Sequence, residues 1–459
     1  MKKEIRLCMA CVMLALIFLL GGKKANAQEV PINAETFPSD WLRNLMLTPE
    51  YDLNGNGILS DEEIQKITSI KYVFPADTGR FDLFKAEGLV NLPYCTYLEL
   101  TNLMCLNCEI TFYTELPSTI QLWYCQISHL QVSGQNVQTI CCDKRGYYFE
   151  WEGVPASAAA IVSYVKSIDT TACPNLRTLA IEGGSARTLG WYLDLSQNSK
   201  LEYLSCERGE IAELRLSNNK NLKYLRCRGN SLIRLDLSAQ KKLELLDCAN
   251  CSLEELDVSK CVKLKHLNCS KNYLKLLNLQ KNTQLEDVQC YQNYLKSLNL
   301  GKNKKLKSLQ CFENCLKSLD LKRNTNLEWI LCYDNHIRKL SLPASGLVHD
   351  SGYEGYSYGG YDYYPEGDDL IQSSFACNPI QTLDITSVKQ FAGKDWHKFA
   401  ARDLSRFISG DFYKREVRED VFRGKSRPIK KLIVNKKLRK KDMEKVRKQA
   451  KKYKVKLVY

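Results

Sequence analysis

Oxygen-bearing side chains near the N-terminus have the types and the spacing of a calcium-binding loop. Calcium takes oxygen ligands from carboxylates, amides, hydroxyls and backbone carbonyls. The segment from residue 52 to residue 63 supplies all four kinds, and Gly57 allows a positive φ at its centre. The predicted ligands are the side chains of Asp52, Asn54, Asn56, Ser60 and Glu63 and the carbonyl of Ile58. We expect a structural Ca2+ ion here; the alternative is a loop that folds without metal.

Cysteines supply a second regular pattern. Seven of them follow one another at a constant interval of 21 residues: Cys206, Cys227, Cys248, Cys269, Cys290, Cys311 and Cys332. A fixed period of roughly 20–29 residues is typical of a solenoid. Equivalent residues of adjacent parallel strands lie about 4.8 Å apart with parallel side chains, whereas a disulfide needs Cβ atoms about 3.8 Å apart. We therefore interpret this cysteine ladder as buried small hydrophobic residues, not as disulfides or metal ligands.

The frame around each ladder cysteine describes one turn of a coil. It reads Leu264-x-x-Leu267-x-Cys269-x-x-Asn272-x-Leu274-x-x-Leu277-x-Leu279. A short strand buries Leu267 and Cys269, and Asn272 turns the chain through hydrogen bonds to the backbone. The leucines of the return path, which is the segment after the asparagine, close the coil. So short a return path has no room for a full helix.

Weaker copies of this frame flank the ladder. Upstream, at an interval of 17 residues, we predict rungs at Leu103-x-x-Leu106-x-Cys108, Ile120-x-x-Trp123-x-Cys125 and Val137-x-x-Ile140-x-Cys142. A rung at residues 176–181 follows an insertion with a predicted helix from Ser157 to Ile168. After a second insertion the frame resumes at residues 370–385. The sum is twelve rungs, which predicts a parallel sheet about 50–60 Å long.

The chain divides into four parts. Residues 1–27 combine a basic start, an apolar run and the small-residue site Ala25-Asn26-Ala27, which is typical of a secretory signal peptide. Residues 28–94 are predicted to form an N-terminal cap, with one helix after Ser39 and another that presents Ile64, Ile67 and Ile70 on one face. The solenoid spans 95–388, with insertions at about 146–172 and 345–369, and a basic C-terminal domain spans 389–459.

The repeat frame resembles the internalin-type leucine-rich repeats of bacterial surface proteins, in the variety that has cysteine in a leucine position. The loop at residues 52–63 has the pattern of an EF-hand, and the cap around it is similar to the front end of exported leucine-rich repeat proteins of gut and oral bacteria. The resemblance covers roughly residues 33–388. It implies a leucine-rich repeat solenoid with short parallel strands on a concave face and an irregular convex side. A helical cap precedes the solenoid, and a small α+β domain follows it. The resemblance also implies a binding or adhesion role.

Aromatic residues mark the C-terminal rungs and the insertion that follows them. The insertion at 345–369 holds six tyrosines, six glycines and no lysine or arginine. Tyrosine gives contact area at a small entropy cost, and glycine gives an adaptable backbone. The predicted ligand-contacting residues are Tyr291, Phe312, Trp329, Tyr333, Tyr356, Tyr358 and Tyr361. The alternatives are aromatics that merely cover the sheet and a disordered acidic loop.

The positive charge is concentrated at the C-terminal end. Residues 389–459 contain 25 lysines and arginines against 8 acidic residues, while the whole chain has a net charge of +14. The pattern predicts a strand at 429–434, a helix at 438–453 and a strand at 455–458. Such a zone attracts acidic polymers or a membrane surface, without specificity for nucleic acid. The alternative is the solvated face of a capping domain.

These features favour recognition over catalysis. Five histidines are scattered, and no nucleophile, paired carboxylate or phosphate-binding loop has a usable spacing, so no enzymatic activity is predicted. The leader predicts export, to the medium, the periplasm or the cell surface. The first hypothesis is a bacterial recognition or adhesion protein that binds a protein or glycan through the concave face. The alternative is a calcium-stiffened structural or assembly component of the cell envelope.

Overall fold

The computed structural model describes most of the cap and of the solenoid, together with parts of the C-terminal segment. The described residues are 29–75, 80–112, 114, 116–142, 164–182, 193–327, 329–332, 334–343, 378, 380–386, 430–434, 440–452 and 454–459. The predicted signal peptide and the insertion at 345–369 lie outside them. Within these ranges, no helix is both long enough and apolar enough to cross a membrane.

Short strands dominate the secondary structure. The strands are β1 (Val30–Pro31), β2 (Ile58–Leu59), β3 (Ser69–Val73), β4 (Arg80–Lys85), β5 (Tyr97–Thr101), β6 (Met104–Thr111), β7 (Ser118–Trp123), β8 (Gln126–Ser133), β9 (Val137–Cys142), β10 (Tyr164–Ala172), β11 (Thr178–Glu182), β12 (Tyr203–Glu207), β13 (Tyr224–Arg226), β14 (Leu245–Asp247), β15 (His266–Asn268), β16 (Asp287–Gln289), β17 (Ser308–Gln310), β18 (Ser318–Asp320), β19 (Trp329–Leu331), β20 (Lys339–Ser341), β21 (Thr382–Asp384), β22 (Lys431–Ile433) and β23 (Lys456–Val458). The helices are α1 (Asp40–Met46), α2 (Asp61–Lys66) and α3 (Lys440–Lys452), with a 3-10 turn at Leu89–Asn91.

A parallel sheet of twelve strands forms the centre of the fold. Its order is β3, β5, β7, β9, β11 to β17 and β19. Adjacent strands pair in register, so that Leu267 lies between Leu246 and Val288. The same column continues through every rung and is at most 1% exposed: Ile70, Leu98, Ile120, Ile140, Leu179, Leu204, Leu225, Leu246, Leu267, Val288, Leu309 and Ile330. The predicted solenoid of short parallel strands is confirmed.

The ladder cysteines form the second buried column, two residues beyond the first. All seven are at most 1% exposed, and all are free thiols. Burial raises the pKa of Cys248, Cys269 and Cys311 well above the ordinary value. These thiols are therefore neutral core side chains, in agreement with the interpretation from spacing.

Amide side chains hold the first turn of each rung. Asn293 Nδ2 donates to the carbonyls of Cys269 and Cys290 at 3.0 and 3.2 Å, and its Oδ1 accepts from the amide of Leu274 at 3.0 Å. One side chain thus joins two rungs. The same bonding between rungs recurs at Asn230, Asn272, Asn314, Asn335 and Asn378. Cys251 takes this place in its own rung, with Sγ 2.9 Å from the carbonyl of Cys227.

A second buried amide column holds the other turn. Asn282 Nδ2 donates to the carbonyls of Val258 and Cys261 at 2.8 and 2.9 Å. Asn198, Asn219, Asn303 and Asn324 repeat the pattern. Cys261 occupies this position in one rung, as expected, and Gln240 occupies it in another.

The N-terminal rungs differ from the predicted 17-residue frames. Strand β6 joins a second sheet, of order β10, β8, β6, β4, and leaves Leu106 55% exposed. Ile120, rather than Trp123, takes the inward position between Leu98 and Ile140. Only the frame at 137–142 has the predicted register. The two errors arise because a second strand on the return path makes these rungs longer and adds apolar positions that mimic the frame.

The end of the first insertion is a strand where a helix was predicted. Residues 164–172 form β10, which pairs in parallel with β8. Val165 and Ile168 are buried in it. The run from Val165 to Thr171 is rich in β-branched residues, which favour strands, and β8 offers an open edge. The predicted helix from Ser157 to Ile168 is therefore wrong over its described part.

The N-terminal cap packs against the first strands. Helix α1 follows Ser39 as predicted, although the Ser39 hydroxyl donates to the carbonyl of Lys85 at 2.8 Å and does not cap the helix. The Trp41 ring lies 5.3 Å from Tyr72 and 5.6 Å from Phe84. Helix α2 ends at Lys66, so the prediction of one helical face with Ile64, Ile67 and Ile70 is wrong. Ile70 instead begins the central column in β3.

The C-terminal segment adds strands to the return side of the solenoid. The third sheet has the order β18, β20, β21, β22, β23, all parallel. Strands β22 and β23 flank helix α3, so the predicted order of strand, helix and strand is confirmed. Leu432, Met443 and Val446 are buried. The described part of the basic segment is thus continuous in hydrogen bonding with the last rungs.

Candidate functional site

The loop between α1 and α2 gathers the six predicted calcium ligands. Asp52 Oδ2 accepts from the amide of Gly57 at 2.8 Å, and Asn54 Oδ1 accepts from that of Asn56 at 2.9 Å. Asn56 Oδ1 in turn accepts from the amide of Ile58 at 2.8 Å. Gly55 and Gly57 adopt positive φ values of 67° and 76°, which an L residue adopts only with strain. The backbone therefore folds every predicted ligand into one tight loop.

Glu63 closes the loop from the first turn of α2. Its Oε1 accepts from the amide of Leu53 at 2.9 Å, and its Oε2 accepts from the amide and hydroxyl of Ser60 at 2.8 and 2.7 Å. These bonds, with the backbone amide of Ser60 foremost, hold the pKa of Glu63 below its usual range. Glu63 is thus kept as a carboxylate. The pair Ser60 and Glu63 also forms a capping box for α2.

The charges of the loop fit a divalent cation. Asp52 and Glu63 are only 2% and 4% exposed. No lysine or arginine of the described residues forms an ion pair with either. Burying two carboxylates without a cation is costly. Carboxylate, amide, hydroxyl and carbonyl oxygens are the ligands that calcium prefers, so the residues present would suit it.

The strand inside the loop pairs with the beginning of the described chain. Strand β2 lies antiparallel to β1, with Val30 opposite Leu59 and Pro31 opposite Ile58. The amide of Ile32 also donates to the carbonyl of Gly57 at 2.8 Å. The loop therefore obtains its strand partner from its own N-terminal segment.

The predicted aromatic column is partly a packing feature. Tyr291 and Phe312 stack face to face, with ring centroids 4.4 Å apart and planes 7° apart. Tyr291 is only 5% exposed, and the Lys271 ammonium lies 6.0 Å from its ring centroid. Trp329 belongs to β19, but its side chain and all of Tyr333, Tyr356, Tyr358 and Tyr361 lie outside the described residues.

A second aromatic stack, which the sequence reasoning missed, is open to solvent. Tyr273 and Tyr294 are 52% and 51% exposed, with ring centroids 6.2 Å apart and planes 12° apart. They follow the turn asparagines and border a cavity of about 340 Å3, which is lined by Lys271, Asn272, Tyr273, Gln292, Asn293, Tyr294 and Glu313. Gln292 Nε2 donates to Glu313 Oε2 at 2.8 Å. The constant spacing of 21 residues between the two tyrosines was the available indication.

The concave face, which is the solvent side of the twelve-stranded sheet, is polar in its middle rungs. His266, Asn268, Asp287, Gln289 and Ser308 are partly exposed there. Burial raises the pKa of Asp287 above its ordinary value, although the Ser308 hydroxyl and His266 oppose the shift. Among the described residues, no three His, Cys, Asp or Glu side chains gather in a metal-binding group. This face offers hydrogen bonding across several rungs.

Strand register, asparagine turns and cysteine columns together define a leucine-rich repeat solenoid. No protein-family model matches the chain, and no curated protein matches it in sequence. Among solved structures, it is similar to the functional domain of InlJ from Listeria monocytogenes, which includes a cysteine ladder. The TM-score is 0.47 at 19% identity, with 80% of this chain and 70% of that chain covered.

Two further solved structures show similar values. The internalin InlF from Listeria monocytogenes gives a TM-score of 0.46 at 13% identity, over 94% of this chain and 97% of that chain. The leucine-rich repeat protein LIC12759 of Leptospira interrogans gives 0.42 at 13% identity, over 87% and 86%. Such identities concern the fold alone, and the fold rests on the register described above. Internalins are thus among the structures that the chain resembles, as the repeat frame predicts.

Proposed function

We propose that the chain is an exported bacterial recognition or adhesion protein that binds a protein or glycan partner through its concave face. The observation that carries the proposal is the in-register parallel sheet, whose solvent side repeats hydrogen-bonding side chains at each rung. The open tyrosine stack of Tyr273 and Tyr294 lies at the end of this sheet and offers apolar contact. Export is inferred from the predicted leader, and a non-catalytic role from the scattered histidines.

The test compares two double variants of the mature chain. Asn268→Arg with Gln289→Arg adds bulk and charge to the concave face. Asn278→Arg with Asn299→Arg adds the same charge on the return path, where both asparagines are exposed. Each variant is measured, by surface plasmon resonance, against the glycans and purified extracellular proteins that the wild type captures from an array.

The concave variant should lose about tenfold or more in affinity, since interface centres tolerate unpaired charge poorly. The return-path variant should bind like the wild type. Equal loss in both variants, or no loss in the concave one, would refute recognition through this face. Circular dichroism spectra establish that both variants are folded.

A calcium-stiffened structural or assembly role in the envelope is the second candidate. The closure of the loop by β1 favours it, because a strand from the cap occupies the edge where a partner hand would pair. Sensing usually needs a paired hand and a groove that opens. We propose that calcium, bound by Asp52, Asn54, Asn56, Ile58, Ser60 and Glu63, rigidifies the cap over the first rung. We also propose that the basic C-terminal segment contacts acidic polymers or a membrane surface.

A further inference from the structure

Charged side chains form two very different columns on the solenoid. The first column precedes each strand and alternates in sign from rung to rung. Lys265 Nζ lies 2.7 Å from Glu244, and Lys307 Nζ lies 2.7 Å from Glu286. Lys223 and Arg177 both pair with Glu202. This self-paired column neutralises itself and leaves little charge for a partner.

The second column has a single sign. It lies on the return path, one residue after the first buried leucine or isoleucine, and consists of Lys275, Lys296, Lys317 and Arg338. All four are exposed. No carboxylate of the described residues forms an ion pair with any of them. The amide of Arg338 donates to the carbonyl of Lys317 at 3.0 Å, so neighbouring cations follow the rung spacing of about 4.8 Å.

The C-terminal segment prolongs this column. The amide of Gln381 donates to the carbonyl of Arg338, and the amide of Lys430 donates to that of Gln381, both at 2.9 Å. Lys430 therefore continues the column beyond one neutral position. In the adjacent register, Lys339, Lys431 and Lys456 occupy equivalent positions of β20, β22 and β23. We call Lys275, Lys296, Lys317, Arg338, Lys339, Lys430, Lys431 and Lys456 the return-face basic strip.

Acidic residues bound the strip more than they interrupt it. Glu254 and Glu255 occupy the preceding rung and end the strip on the N-terminal side. Asp384 lies within the third sheet, but Lys322 pairs with it at 3.1 Å and its side chain is 7% exposed. Asp320 is exposed, and its Oδ1 accepts from the amide of Lys322 at 3.1 Å. The strip therefore presents a row of positive charge that is mostly uncompensated.

We propose that the return-face basic strip binds a linear anionic polysaccharide lengthwise. One cation per rung repeats at about the length of one sugar ring, and a straight row matches an extended chain better than a flat membrane. Asn278, Ser297 and Asn299 stand beside the cations and offer hydrogen bonds to hydroxyl groups. Single-stranded nucleic acids are usually held by aromatic stacking, and no aromatic residue lies between Leu274 and Leu279 or between Leu295 and Leu300.

This site is separate from the concave face. A solenoid with both would hold a polysaccharide on one side and a recognition partner on the other. The inference also gives the basic C-terminal segment a definite place, because its strands complete the strip that the solenoid begins.

The experiment measures binding of heparin to the mature chain by calorimetry at about 0.1 M salt, where exposed charges still act over roughly 10 Å. The variant is Lys275→Gln with Lys296→Gln and Lys317→Gln. Loss of three contacts should weaken binding by about tenfold or more and flatten its salt dependence. The control is Lys223→Gln with Lys265→Gln and Lys307→Gln, which removes the same charge from the self-paired column. The control should stay within about twofold of the wild type.

Three results would overturn the proposal. The first is absence of heparin binding by the wild type, and the second is an equal loss in variant and control, which would indicate attraction by net charge alone. The third is tighter binding of phosphatidylserine vesicles or of a single-stranded oligonucleotide than of heparin. Uncharged dextran serves as the blank, and thermal melting shows that both triple variants fold.

Discussion

The side chain of Asn293 joins its own rung to the preceding one by donating to the carbonyls of Cys290 and Cys269. Each internal rung is thus sealed to its neighbour by one buried amide, in addition to the strand hydrogen bonds. Because rungs contact only their neighbours, such seals determine how far order propagates along a solenoid.

Asn293→Ala should destabilise the solenoid by about 2–4 kcal/mol, because it leaves two buried carbonyls and the amide of Leu274 without this partner. Urea denaturation followed by circular dichroism measures the change. Asn326→Ala, at an exposed asparagine, is the matched control and should change stability by less than about 0.5 kcal/mol. Similar midpoints for the two variants would show that the turn amide is dispensable.

Gly229→Ala should cost about 1 kcal/mol, because Gly229 has a φ of +71° and a new Cβ would lie 3.1 Å from Cγ of Arg208. The same slot tolerates larger residues, since Lys271, Gln292 and Glu313 also have positive φ. The variant should therefore fold with a lower urea midpoint. Gly301→Ala, where the added Cβ meets only ordinary contacts, is the control. A drop in midpoint for Gly301→Ala as large as for Gly229→Ala would rule out the backbone explanation.

Stability should fall at alkaline pH because of the buried thiols. Burial raises the pKa of Cys290 to about 12, whereas a cysteine in an unfolded chain titrates at about 8.5. The stabilisation is fully present below the unfolded value. It is lost as pH rises toward the folded value, at up to about 1.4 kcal/mol per pH unit and thiol.

Urea midpoints on both sides of pH 9 test this sign. The midpoint should be level from neutral pH to about pH 8 and then decline. Cys290→Ala lowers stability at every pH but should show a shallower decline, by one proton. A midpoint that does not change up to about pH 10 would contradict the linkage.

Calcium should raise the melting temperature of the mature chain. At a concentration of about 100 times the dissociation constant, the ion would add about 2.7 kcal/mol. Glu63→Gln should abolish most of this increment, while Glu62→Gln, at the exposed neighbour, should retain it. Differential scanning calorimetry with calcium and with EGTA provides the measurement. Identical melting of the wild type in both buffers would exclude a structural ion.

The sequence predicted the solenoid because its period is constant where the rungs are uniform. Leucine, cysteine and asparagine recur at 21 residues, and each repeated type has one physical task. The prediction lost register at Leu106 and Trp123, where rungs carry a second strand and apolar residues occur on both sides of the coil. Periodicity alone cannot show to which sheet an apolar residue turns.

The candidate sites followed the same division. The calcium loop could be predicted because every ligand is local in sequence, whereas exposure on the concave face depends on neighbouring rungs. Tyr291 was expected to be open, yet Phe312 of the next rung covers its ring. Tyr273 and Tyr294 were overlooked because they stand next to the turn and outside the strand.

The columns of the ladder make 21 residues a unit of length for the molecule. A duplication or deletion of one unit between Cys269 and Cys290 would keep every amide, thiol and return-path lysine opposite its counterpart. An insertion of any other size must leave the coil as a loop. The number of units, and with it the reach of both faces, is therefore free to vary in evolution without redesign of the core.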